Sequence, residues 1–71
     1  MPVIKIEMFV GRTIEQKRAM TKAITESFIA TAGGTAQSVH IIVTEVAREN
    51  WAVGGLLCSD LAAVAAQSTS N

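Results

Sequence analysis

The sequence predicts an α/β (α+β) protomer, a βαβ unit with a short C-terminal hairpin, whose sheets are completed by oligomerisation. Three observations lead there. Residues 3–10 alternate in the manner of a half-buried strand. A capping box at Thr13 opens a helical stretch that Gly33-Gly34 closes. A second apolar run over 38–46 then supplies another strand of matching length.

In the first strand Ile4, Ile6 and Met8 point to one face, and Lys5 and Glu7 point to the other with Val3 and Phe9. Period two with β-branched residues is the strand signature. Gly11 ends the strand and Arg12 sits in the turn. In Thr13-Ile14-Glu15-Gln16 the threonine hydroxyl can accept the Gln16 amide while the Gln16 side chain reaches back. The helix is therefore expected over about 14–32. Met20, Ala23, Ile24, Ser27, Phe28 and Thr31 recur at three- and four-residue spacing and predict its apolar stripe, with Lys17, Arg18, Lys22 and Glu26 largely off it. Glycine at 33 and 34 takes the left-handed cap without steric penalty.

In the second strand Val39, Ile41 and Val43 share one face, and His40, Ile42 and Thr44 the other. Its middle is apolar on both sides, as in a strand covered on two faces. A helix of ~19 residues is about 28 Å long and an eight-residue strand about 26 Å, so the pieces match as a βαβ unit with a right-handed crossover. Beyond Ala47-Arg48-Glu49-Asn50, the segment Trp51-Ala52-Val53-Gly54-Gly55 predicts a hairpin with its turn at the glycines, and Leu56-Leu57-Cys58 its return strand. Ser59 or Asp60 is expected to cap a last helical stretch, Leu61 to Ala66, before a frayed polar tail. Residues 1–60 thus read as one domain and 61–71 as a C-terminal extension.

The totals point to association. A chain of 71 residues folding alone buries only roughly 60% of its unfolded surface. Yet 49% of these residues are hydrophobic and 17% charged. Two strands and one helix also leave one sheet face bare. Cys58 has no partner for an intrachain disulfide, and no Cys/His cluster offers a zinc site. Subunit association is the remaining source of stability. Six basic and six acidic residues cancel, so no nucleic-acid footprint or anionic-membrane patch is expected. No secretory signal or membrane-spanning run is visible, and a soluble cytoplasmic protein is the default expectation.

Chemistry centres on Pro2. Loss of Met1 would leave it a free secondary amine, able to act as a base. A reference α-amino group titrates near ~7.7–8, and burial beside a fixed cation would lower that value. The plainer role is an edge-strand start, where a missing N–H does no harm. Arg12 offers a planar fork for a carboxylate, or else a solvated turn arginine. His40, beside the start of the first strand in a parallel pair, could donate to a carbonyl or enolate oxygen, or could simply be a half-buried strand histidine. Trp51 is a large apolar wall or interface filler. Cys58 reads as a small buried hydrophobe.

Met-Pro-Val-Ile-Lys-Ile at the start, Glu15-Gln16-Lys17 behind Gly11-Arg12, Ile42-Val43-Thr44-Glu45-Val46, and Asn50-Trp51-Ala52-Val53-Gly54-Gly55 together resemble the 4-oxalocrotonate tautomerase (2-hydroxymuconate tautomerase) family over about residues 1–60. The resemblance implies a tautomerase-like fold, with Pro2 as general base, Arg12 binding a substrate carboxylate and Trp51 as the aromatic wall, where the family usually has phenylalanine. Phe9 and Ser38 complete the expected substrate-binding set. It implies protomers paired into four-stranded sheets, three pairs forming a hexamer with pockets shared between chains. The family's second arginine falls at position 40, which is His40 here. Histidine is shorter and cannot make the bidentate contact. Loss of such a group can cost about 100- to 1000-fold in rate.

The expected activity is enol–keto tautomerisation of a 2-hydroxymuconate-like or 2-keto acid, a small-molecule carboxylate, without metal or organic cofactor. The alternatives are a dehalogenase/hydratase- or decarboxylase-like reaction using the same proline as an acid, and a non-catalytic oligomeric relative. Neither nucleic acid nor membrane is an expected partner.

Overall fold

A computed structural model of the chain describes residues 1–61. The elements run β1 (Val3–Phe9), α1 (Ile14–Ala32), a 3-10 turn (Ala36–Ser38), β2 (His40–Val46), a second 3-10 turn (Arg48–Asn50), β3 (Ala52–Val53) and β4 (Leu56–Leu57). β1 pairs with β2 and β3 with β4. The chain gathers into two compact units. One comprises Met1–Glu7 with Gly11–Thr44, the other Met8–Val10 with the described residues from Glu45 onward.

The β1–β2 pair is parallel. The His40 N–H donates to the Pro2 carbonyl at 3.0 Å, and the Val10 N–H to the Val46 carbonyl at 3.2 Å, so the strands start together and end together. β1 alternates as expected, with Ile4, Ile6 and Met8 half-buried and Val3, Lys5 and Glu7 exposed. β2 begins at His40 instead of residue 38. The Ser38 hydroxyl donates to the Thr35 carbonyl at 2.7 Å and folds 36–38 into a 3-10 turn. Such local side-chain bonds compete with strand pairing.

The helix starts where its capping box places it. The Gln16 N–H donates to the Thr13 hydroxyl at 3.1 Å, and the Thr13 N–H to the Gln16 side-chain oxygen at 2.9 Å. It ends at Gly33, which has φ of +84° and donates its N–H to the Ile29 carbonyl at 2.9 Å. A side chain there would meet open space but a disfavoured backbone angle. Glu15 and Arg18 form an exposed ion pair within the first turns, a minor contribution to stability.

The stripe differs from the sequence expectation on one flank. Met20, Ile24 and Phe28 are half-buried, but their half-buried neighbours are Lys17, Thr21, Thr25 and Ile29, while Ala23, Ser27 and Thr31 are exposed. Thr21 tolerates this position because its hydroxyl donates to the Lys17 carbonyl at 3.0 Å. The long aliphatic stem of Lys17 can cover apolar surface at this position.

β2 is not covered on two faces within the protomer. Ile41 and Val43 are half-buried, whereas Ile42 is 49% exposed on the opposite face. Val3 of β1 is also 49% exposed.

In the second unit Gly54 and Gly55, with φ of +62° and +83°, make the two-residue turn of a hairpin in which Ala52 pairs with Leu57 and Val53 with Leu56. Positive φ at both central residues is the type I′ arrangement that matches strand twist. The Cys58 N–H donates to the Trp51 carbonyl at 2.7 Å and closes the hairpin base. Residues 58–61 are helical, so this turn begins before Ser59 and Asp60, not at a cap formed by either. The rest of the expected helix and the polar tail lie outside the described residues. Val53 and Leu56 are each 57% exposed, and Cys58, at 9%, is the one described hydrophobic residue that is buried. Among the described residues no helix is long and apolar enough to cross a membrane.

Thr13→Ala removes the acceptor at the helix start. It is expected to lower unfolding free energy by about 1 kcal/mol. Denaturant unfolding at fixed protein concentration, with Thr13→Ser retaining most of the stability, checks this.

Candidate active site

Pro2 directly precedes β1 and is half-buried, behind an exposed Met1. Its carbonyl is engaged by His40, while its nitrogen has no hydrogen to give and takes no part in the ladder. The sequence expectation that His40 lies beside the start of β1 is met through this backbone bond. The His40 side chain belongs to the exposed set of β2 with Ile42 and Thr44. Ser38 is half-buried two residues earlier, its hydroxyl proton committed to the 3-10 turn.

Arg12 is exposed and immediately precedes the helix N-cap Thr13. The partial positive charge of a helix N-terminus adds to the guanidinium, and both favour an anion. Among the described residues no ion pair neutralises Arg12, and neither Arg12 nor His40 has a side-chain hydrogen-bond partner. Arg12 is not beside the Pro2 of its own chain. The seven residues of β1 lie between them, and at ~3.3 Å per residue they set the two about 23 Å apart. No arginine side chain spans that gap. A site using both must draw them from different subunits.

The aromatic candidates meet in the second unit. The Phe9 and Trp51 rings lie 4.7 Å apart between centroids, at an interplanar angle of 53°. This tilted arrangement suits the ring quadrupoles. The Arg48 guanidinium sits over the Phe9 ring, its central carbon 4.1 Å from the centroid. Arg48 is exposed and opens the 3-10 turn Arg48–Asn50, which the Asn50 N–H to Ala47 carbonyl bond of 2.9 Å holds. The sequence reading passed Arg48 over as a loop residue. Nothing in its neighbourhood marks it, because the contact exists only once the end of β1 meets the segment after β2.

An open groove of about 550 Å³ lies elsewhere, lined by Thr21, Lys22, Thr25 and Glu26 of α1 with Ala36, Val39 and Ile41. It contains none of the candidate residues, and its lining offers no nucleophile–base pair. Among the described residues no three His, Cys, Asp or Glu side chains gather as a metal site requires.

A proline at a strand start, an arginine at a helix start and an aromatic wall invite comparison with known proteins. The family model described as "Tautomerase enzyme" matches residues 2–61. The chain belongs to the tautomerase family. It is an isomerase of the tautomerase type, and its relatives place it with the 4-oxalocrotonate tautomerase homologues. A probable tautomerase of Lactiplantibacillus plantarum is 33% identical over 60 residues, spanning 84% of this chain and 94% of that protein. A probable tautomerase of Ralstonia nicotianae is 38% identical over 56 residues, covering 79% and 80%. Among solved structures, one from work on the 4-oxalocrotonate tautomerase isozymes of Methylibium petroleiphilum superposes with a TM-score of 0.84 at 33% identity, covering 89% of this chain and 98% of that one. A homologue from the tomaymycin biosynthetic pathway gives a TM-score of 0.83 at 31% identity, covering 87% and 95%. The tautomerase fold expected from the sequence, a βαβ core with small C-terminal strands, is the fold found.

Trp51 is the chain's single tryptophan, so its emission reports on this cluster alone. Phe9→Ala strips the ring that covers it. The emission maximum is expected to shift to the red relative to the parent protein, read by steady-state fluorescence.

Proposed function

We propose that this tautomerase interconverts the enol and keto forms of a 2-hydroxymuconate-like or 2-keto acid, with Pro2 as the general base. The observation that carries the proposal is the family match, which includes Pro2, together with the bond from the His40 N–H that fixes the Pro2 carbonyl at the start of the β1–β2 pair. The reading requires Pro2 as a free amine, the form left by removal of Met1. The uncharged amine takes a proton from the substrate hydroxyl or carbon, and the resulting ammonium returns it at the other end of the conjugated system. A base that also serves as the acid needs no second titrating group.

Arg12 binds the substrate carboxylate, a role that suits its exposed guanidinium at a helix start, unpaired among the described residues. His40 supports the oxyanion that develops as the proton leaves, and Ser38 fixes the turn leading to it. Trp51 and Phe9 wall the pocket and keep water from the charged intermediate. Because β1 separates Pro2 from Arg12, each complete pocket joins ends of two protomers. The oligomer that does this is proposed to be a hexamer of three dimers in the cytoplasm.

Replacing the base is expected to cost about 100- to 10,000-fold in turnover. Ketonisation of 2-hydroxymuconate and of enol phenylpyruvate by the parent and by Pro2→Ala tests this, with intact mass confirming the terminus. Equal rates in the two proteins would end the proposal. A shared pocket also has its own signature. Pro2→Ala and Arg12→Ala proteins, each weakly active, are unfolded together and refolded as mixed oligomers. Recovered activity above that of either parent variant is expected, and its absence would place the whole pocket within one chain.

A further inference from the structure

We propose that Arg48 is a positioning residue, which fixes the orientation of the Trp51 ring by acting through Phe9. This rests on the reading of Phe9 and Trp51 as pocket wall. All three residues belong to the second unit. Its main chain is pinned on each side of the aromatic pair. The Val10 N–H donates to the Val46 carbonyl at 3.2 Å just after Phe9, the Trp51 N–H to the Arg48 carbonyl at 3.4 Å, and the Cys58 N–H to the Trp51 carbonyl at 2.7 Å. Backbone bonds leave side-chain torsions free, and both rings are only half-buried, so the rotamer of Trp51 is decided by what its ring touches. It touches Phe9, at 4.7 Å between centroids. Phe9 is in turn held by the Arg48 guanidinium, 4.1 Å from its ring centroid. The ring quadrupole attracts the cation, and a guanidinium also covers the ring as a plane. Among the described residues no carboxylate draws this guanidinium elsewhere, in contrast to Arg18, which is paired with Glu15. Arg48 thus holds the tryptophan twice, by its carbonyl directly and by its side chain through Phe9.

A wall with an ordered ring meets the bound substrate and the transition state alike. Loss of that order therefore raises KM and leaves kcat nearly unchanged. Two readouts are taken on the parent protein, Arg48→Met and Arg48→Lys: acrylamide quenching of Trp51 emission, and KM and kcat for 2-hydroxymuconate and enol phenylpyruvate. Methionine keeps an apolar stem over Phe9 without the charge. Arg48→Met is expected to increase quenching and to raise KM roughly two- to fivefold, the range of an exposed cation–aromatic contact, with kcat within about twofold of the parent. Arg48→Lys, which keeps the cation, should recover much of both. The same Arg48→Met change made in a Phe9→Leu protein should alter neither readout further, because the ring through which Arg48 acts is gone. An equal effect with and without Phe9 would overturn the proposal. So would unmoved quenching in Arg48→Met, increased quenching with an unchanged KM, or a lysine variant as defective as the methionine one. Quenching is read without turnover. A failure of Pro2 as base therefore leaves that result standing, while an unmoved Trp51 signal in an active protein ends this inference alone.

Discussion

A single helix laid on a two-stranded sheet can cover only one of its faces, and much about this chain follows from that. Ile41 and Val43 are half-buried, but Ile42, between them, stands half-exposed on the other side with Val3 of the neighbouring strand. The hairpin adds Val53, Leu56 and Leu57 to the uncovered apolar surface. Fully burying one such side chain contributes about 1.5–3 kcal/mol. The several left exposed on one protomer amount to a large share of the stability a small domain has at all. Association of subunits is therefore part of how this fold is stabilised.

The same economy of elements shapes the chemistry. With only one full-length strand between them, Pro2 and Arg12 stand at opposite ends of the protomer's longest rigid piece, β1. A stiff strand cannot fold its ends together, so the base and the carboxylate-binding arginine proposed for these two positions would cooperate only across an interface. On the proposed reading, stability and site assembly depend on one association. The parallel register set by the Pro2–His40 bond contributes by fixing the proline at the start of the sheet. At the other end of β1, Phe9 brings together a tryptophan and an arginine that lie far from it in sequence.

Local signals carried most of the elements. Thr13 and Gln16 place the helix start, Gly33 its end and Gly54-Gly55 the hairpin turn, because capping and positive φ are decided within a few residues. The helix flank was not legible in this way. Met20, Ile24 and Phe28 mark the centre of the stripe, but Ala23, Ser27 and Thr31 on one side are as permissive as Thr21 and Thr25 on the other. Which flank is covered depends on the sheet the helix meets. The start of β2 slipped for a similar reason, since the Ser38 hydroxyl satisfies the Thr35 carbonyl and holds a turn where the pattern alone continues a strand.

The sequence by itself determined the βαβ order, the caps, the hairpin and the surplus of apolar residues that calls for partners, because each is written in neighbouring residues or in composition. It also carried the family through motifs in their order and spacing. Only the tertiary structure decided which face of β2 is left bare and that Arg48 comes to rest on Phe9. Those are distances between residues remote along the chain, and they are fixed by how rigid elements pack, not by the identity of any one of them.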